Sequence, residues 1–223
     1  MKCNLSYVSK FFVVAVLIFP FIFSQNHEQI FSDIYKYQLW GTNDAGEGSS
    51  GPGSTAKNTE IYRNFIQDFL KTFKINSVVD LGCGDWEFTK LINWDGIDYL
   101  GLDIVGLVIE RNIKLYSSKS IQFRYGNALQ EELPSADLLI CKDVLQHLPN
   151  TDIMKIIKQL HKYKYCLLTN SINSSTLSSD NPDISIGDYR PLDLTKPPFN
   201  LDGFKILRYQ AGYFLMQTVL VCN

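Results

Sequence analysis

The chain has 223 residues, enough for one well-buried domain with extensions and too few for two full ones. Its 23 acids against 21 bases leave a net charge of -2, which excludes a partner gripped mainly through its phosphates, so nucleic acid is not an expected ligand. A hydrophobic fraction of 45% and an aromatic fraction of 13% exclude a disordered chain and describe a globular core.

Lys2 and Lys10 precede thirteen consecutive apolar or proline residues, Phe11 to Phe23, the layout of a signal peptide or signal anchor. That run is shorter than the roughly 20 residues a bilayer-crossing helix needs. Residues 1–25 are therefore set apart from the fold, with residues 8–24 available for membrane association; a buried N-terminal helix is the alternative. Cys3, Cys83, Cys141, Cys166 and Cys222 are odd in number and scattered through apolar runs, so they read as small core residues in a reducing compartment. No CxxC or histidine-rich spacing supports a metal site. A glycosylation sequon at Asn173 matters only if the body enters a secretory lumen.

Residues 26–40 are expected to be helical, with Ile30, Ile34 and Tyr37 on one face. The stretch GTNDAGEGSSGPGSTAK that follows has no apolar period and is either a linker or a flap that orders over a ligand. A second helix carries Tyr62, Phe65, Ile66, Phe69, Leu70 and Phe73 as a wide apolar stripe. The division is then 1–25, 26–58 and a main domain over 59–223.

From Ser77 onward, strand and helix patterns alternate. Strands are expected at 78–81, 99–103, 121–125, 137–141 and 165–169. Helices are expected at 87–92, along the face Val105, Ile109, Ile113 and Tyr116, and through Ile153, Ile156, Ile157 and Leu160, the last capped by Asn150 or Thr151. Such alternation implies a parallel sheet with helices on both faces. Phe204 to Tyr209 and Tyr213 to Val221 are joined too closely for a crossover helix and must form an antiparallel hairpin. The polar loop from Asn170 to Asn200 is long for a compact domain, which marks it as functional or disordered.

The turn VVDLGCGDW ends the first strand. Gly82 and Gly84 lack a Cβ and let a ligand approach the backbone, while Asp103, nineteen residues beyond Gly84 at the end of the second strand, suits the two hydroxyls of an unphosphorylated ribose. A nucleotide-like cofactor follows; a tight turn with no ligand is the alternative.

VVDLGCGDW, YLGLDIV and LLICKDVLQHLPN resemble the glycine motif, ribose acid and post-strand-four segment of class I S-adenosylmethionine-dependent methyltransferases. The resemblance covers roughly Thr59 to the C-terminus and implies an α/β, Rossmann-like doubly wound sheet, mostly parallel, with an antiparallel C-terminal hairpin. It further implies S-adenosylmethionine as cofactor, with Asp80, Gly82, Cys83 and Gly84 around the methionine portion. Asp103 and Ile104 would then lie at the ribose, and Asn127 and Ala128 near the adenine, where an amide oxygen replaces the commoner carboxylate. Trp86 stands where the family has a third small residue, and is expected over the cofactor or against the flap.

Just past strand four, His147 is a candidate base for a hydroxyl, thiol or carboxylic acid acceptor, with a helix-start histidine bonded to backbone as the bland alternative. Asp143 is a second candidate, either catalytic or in contact with the cofactor. Tyr189 and Arg190 are expected to hold a carboxylate or phosphate of the acceptor, with a surface salt link as the alternative for Arg190. Tyr37 and Trp40 are expected to close the pocket. The Lys196–Phe199 stretch KPPF reads as a rigid loop segment, and His161 as solvated surface.

The expected activity is methyl transfer to a small-molecule O, N or S acceptor, in the cytoplasm or on a cytosol-facing membrane surface. The alternatives are a protein side-chain methyltransferase, a nicotinamide-dependent oxidoreductase and a non-catalytic module. The oxidoreductase pattern wants glycine at position 87, where the chain has Glu87.

Overall fold

The structure, a computed structural model, describes residues 27–43, 45–173 and 180–223. The apolar N-terminal segment, Cys3 and the serines of the sequon lie outside the described residues. Among the described residues no helix is long and apolar enough to cross a membrane.

Seven strands make one sheet in the order β3-β2-β1-β4-β5-β7-β6. They are β1 (Ser77–Leu81), β2 (Asp98–Asp103), β3 (Ile121–Tyr125), β4 (Ala136–Lys142), β5 (Tyr163–Ser171), β6 (Phe204–Ala211) and β7 (Phe214–Cys222). The first five are parallel, while β7 runs antiparallel between β5 and β6. The hairpin expected from the short link is therefore present, and its turn is Gly212–Tyr213, with Gln210 and Ala211 inside β6. Thr169 and Thr218 face one another across β5 and β7 and hydrogen-bond at 2.9 Å, a polar pair within an otherwise apolar seam.

Central strands covered on both faces read as nearly continuous apolar runs, and β4 is one. Val78, Leu138, Ile140 and Leu167 pack on one face against Tyr62, Ile66, Phe69 and Leu70 of α2 (Glu60–Thr72). Val79, Leu139, Cys141 and Leu168 pack on the other against Ile153 and Ile156 of α4 (Asn150–Ile157). Helices thus cover both faces, as the alternation implies.

Three expected helical details are corrected. After β1 there is no α-helix over 87–92: the chain makes only a 3-10 turn at Thr89–Leu91, with Phe88, Thr89, Ile92 and Trp94 buried around it. At α3 (Gly106–Tyr116) the expected Val105 and Ile109 are buried and Tyr116 packs against the core, whereas Ile113 is exposed and Val108 and Asn112 complete the inner face. The α4 helix takes Pro149 at its N-cap and has no side-chain cap; the backbone N–H of Asn150 donates instead to Asp183 Oδ1 at 2.7 Å.

The helix α1 (His27–Lys36) and the Gly/Ser-rich segment after it lie over the carboxyl edge of the sheet. His27 Nε2 meets Asp152 Oδ2 of α4 at 2.7 Å, and the Tyr125 hydroxyl at the end of β3 donates to Glu28 Oε2 at 3.0 Å.

Candidate active site

At the carboxyl edge, the order β3-β2-β1-β4 sets the post-strand residues in a row: Asn127, then Asp103 and Ile104, then Gly82 to Gly84, then Asp143. Four strands spaced about 4.8 Å apart span about 14 Å, the reach of a nucleoside with an amino-acid arm. The strand order reverses between β1 and β4, which is where open parallel sheets place their ligands. A cleft lies along this row and holds about 980 Å³ of empty space, its open mouth included. Residues from α1 and from the segment 40–54 form its far wall.

The glycine turn is built for this wall. Gly82 and Gly84 have φ of 74° and 54°, in the left-handed region glycine adopts without strain. A Cβ on Gly84 would stand 2.2 Å from Ser50 Oγ, and one on Gly82 2.3 Å from Val144 Cγ2. Ser50 in turn clasps the turn: its hydroxyl donates to Asp85 Oδ1 at 2.7 Å, and Asp85 N–H donates back to the same hydroxyl at 2.9 Å. Tyr35 and Trp40 line the cleft beside it.

The carboxylates are held by the main chain and by one another's partners. Asp103 accepts from Gly84 N–H through Oδ2 and from Val105 N–H through Oδ1, both at 2.9 Å, leaving each oxygen a second lone pair. Burial pushes its carboxyl up, against the pull of these backbone donors. Asp80 is buried too and accepts from the Tyr99 hydroxyl at 2.6 Å. Burial lifts it to about 7, opposed by that hydroxyl and by Lys142. Asp143 has φ 60° and is ion-paired with Lys142. The oxygen of Asn127 is taken by Leu129 N–H at 3.0 Å, one of its two lone pairs.

His147 has its tautomer set by its surroundings. Its Nδ1 lies 2.9 Å from the carbonyl of Asp188, which can only accept, so Nδ1 carries the proton and Nε2 the lone pair. Gln146 Oε1 accepts from Ser171 N–H at 2.9 Å, which turns the Gln146 amide nitrogen toward His147 Nε2 at 3.5 Å. Trp40 packs against the ring at a 38° tilt, with centroids 4.9 Å apart. Burial pushes the imidazole below its ordinary 6.5, opposed by the Asp188 carbonyl. Burial thus favours the neutral ring.

The structure brings Asp80, Gly82, Cys83, Gly84, Asp103, Ile104, Asn127, Ala128, Asp143, His147 and Trp40 to one cleft. Three expected members lie elsewhere. Trp86 is 4% exposed and wedged among Tyr99, Tyr116 and Phe123 in the core. Tyr37 sits past the end of α1 and is 61% exposed. Arg190 is 3% exposed and spends its guanidinium on the Leu148 carbonyl at 2.9 Å and Asn150 Oδ1 at 2.8 Å, so it braces the start of α4 and is no surface salt link. Tyr189 stands at the margin, its ring 6.0 Å from His147 and its hydroxyl donating to Ser171 Oγ.

Sequence reasoning missed Tyr35, Ser50, Phe88 and Lys142 as lining residues. Only Lys142 left a trace in the sequence, a charge closing an apolar strand; the others come to the cleft through long-range packing.

Residues 79–163 match the family model described as a methyltransferase domain. No curated protein matches the chain. Magnesium protoporphyrin IX methyltransferase from Synechocystis PCC 6803 with bound SAH is similar at a TM-score of 0.57 and 14% identity, over 87% of this chain and 98% of that one. A protein from Pyrococcus horikoshii OT3 is similar at 0.51 and 19%, over 78% of this chain and 97% of that one. At these identities the likeness is one of fold, and it extends to the sheet with its antiparallel C-terminal strands. The matched segment runs from β1 into β5, through the turn, both acids and the strand-four segment that shape the cleft, so the part of the chain that builds the cleft is the part that matches a methyltransferase domain.

Proposed function

We propose that the chain methylates a small molecule, with the acceptor enclosed between the 40–54 segment and the sheet edge. The residues fit the cofactor: acids stand at one end of the row, and Ile104, Ala128, Leu129 and Ile156 offer an apolar slot at the other. In this reading Asp103 accepts the ribose hydroxyls through its free lone pairs. Asp80 and Asp143 face the cationic end of the amino-acid arm, and Asn127 lies by the adenine. S-adenosylmethionine supplies an already activated methyl group, so the chain's part is alignment and exclusion of water.

His147 provides the proton acceptor. Asp188 holds the imidazole in the tautomer that leaves Nε2 basic, and Trp40 shields it from solvent. Acceptors carrying a hydroxyl, thiol or carboxylic acid proton suit such a group.

The carrying observation is the enclosure: Trp40 on His147 and Ser50 on Asp85 close the wall where a polymer would have to enter. Incubation with methyl-labelled S-adenosylmethionine and a cell extract, followed by separation by mass, tests it. Label is expected in the small-molecule fraction; label confined to protein would make a protein side chain the acceptor. We place the enzyme in the cytoplasm or at a cytosol-facing membrane, a reading supported by the unpaired, buried thiols of Cys83, Cys141 and Cys166.

A further inference from the structure

Lys142 closes β4 with a buried ammonium, 7% exposed, in the wall of the cleft. An ammonium has three protons to donate. One goes to the Gly53 carbonyl at 3.0 Å and one to the Asp143 carboxylate; the third finds no oxygen among the described residues, and the rings of Tyr62 and Phe88 lie 5.8 and 5.3 Å away. Buried charge is costly unless fully paired, so an incomplete shell in a ligand cleft calls for an anion from the ligand.

Two further observations narrow which anion. Lys142 is the one lysine or arginine lining the cleft among the described residues, facing three lining carboxylates, Asp80, Asp103 and Asp143. An anionic group entering among these acids needs that cation. The other common device for holding an anion beside a glycine turn, the N-terminus of a following α-helix, is missing because the chain there makes only the 3-10 turn at Thr89–Leu91.

We infer that the Lys142 ammonium is the chain's receptor for the α-carboxylate of the cofactor's amino-acid arm, making Lys142 the residue that distinguishes an intact amino-acid arm from a decarboxylated one. The inference rests on the cleft holding S-adenosylmethionine. Asp143 and Gly53 fix the ammonium, and Asp80 and Asp143 remain to face the cationic parts of the same arm.

Calorimetry with two ligands against two proteins tests it: S-adenosylhomocysteine and its decarboxylated analogue, with the wild type and Lys142→Met. The variant is expected to lose about 10- to 100-fold in affinity for S-adenosylhomocysteine, the size of a charge-assisted hydrogen bond, and none for the analogue. Equal losses for both ligands, or no loss for either, would overturn the assignment. Lys142→Gln, which removes the charge but keeps a polar amide one bond shorter than the ammonium, carries the same comparison if the methionine variant does not fold. Wild-type protein that binds neither ligand would overturn the cofactor reading itself.

Discussion

Asp80 carries the sharpest stability prediction. Its carboxyl is buried with the Tyr99 hydroxyl as its one side-chain donor, and is raised from an ordinary 3.8 to about 7. The native state therefore keeps the proton over a range in which the unfolded chain has released it, so this group's stabilising share is full below about pH 4 and is lost as pH rises through about 7. At about 1.4 kcal/mol per pH unit, the whole effect is about 4 kcal/mol. Asp80→Asn keeps an oxygen for the Tyr99 hydroxyl and removes the titration. Relative to the wild type, the variant should gain stability from about pH 4 to about pH 7 and level off above, by up to about 4 kcal/mol, or roughly 8–16 °C in melting temperature for a chain of this size. Urea unfolding of both proteins at several pH values measures the difference, and other titrating groups cancel in it. Parallel pH profiles would refute the placement of a buried, proton-holding carboxyl at this position. On the proposed cofactor placement the same change is expected to weaken S-adenosylhomocysteine binding, because Asp80 lines the cleft as well as straining the fold.

Arg190→Ala strips partners from the Leu148 carbonyl and Asn150 Oδ1 and should destabilise by about 2–3 kcal/mol while leaving S-adenosylhomocysteine affinity within about twofold, as calorimetry on the folded protein would show. With a protonated acceptor, His147→Gln should lower kcat by about 10² to 10⁴, and the wild-type rate should fall only below pH 6.5, because burial favours the neutral ring; a limb above 7 in the pH–rate profile would contradict this. Gly84→Ala forces a Cβ to within 2.2 Å of Ser50 Oγ at a φ of 54°, so it should loosen the segment around Ser50, read as faster amide exchange there, and weaken cofactor binding.

The strands, the parallel core, the closing hairpin and the glycine turn with Asp103 beside it were all legible in the sequence. Local chemistry was sufficient for these: apolar runs of strand length, a link too short for a crossover, and two residues without a Cβ where the backbone turns left-handed. Where several large apolar side chains crowded together, periodicity misled. The segment after β1 has a helical pattern, yet Trp86, Phe88, Ile92 and Trp94 all enter one core cluster from a stretch that makes only a 3-10 turn, so tertiary packing overrides local preference there. Arg190 looked like a ligand group because it is charged and in a loop, but loop carbonyls and Asn150 claimed it. Ser50, Tyr35 and Lys142 reach the cleft across long sequence separations, as the Ser50–Asp85 and Lys142–Gly53 bonds show, and no local pattern encodes which distant backbone will come to meet a given side chain. Tertiary structure decided the wall of the site, the tautomer of His147 and the incomplete shell of Lys142, because each depends on atoms that only folding brings within hydrogen-bonding distance.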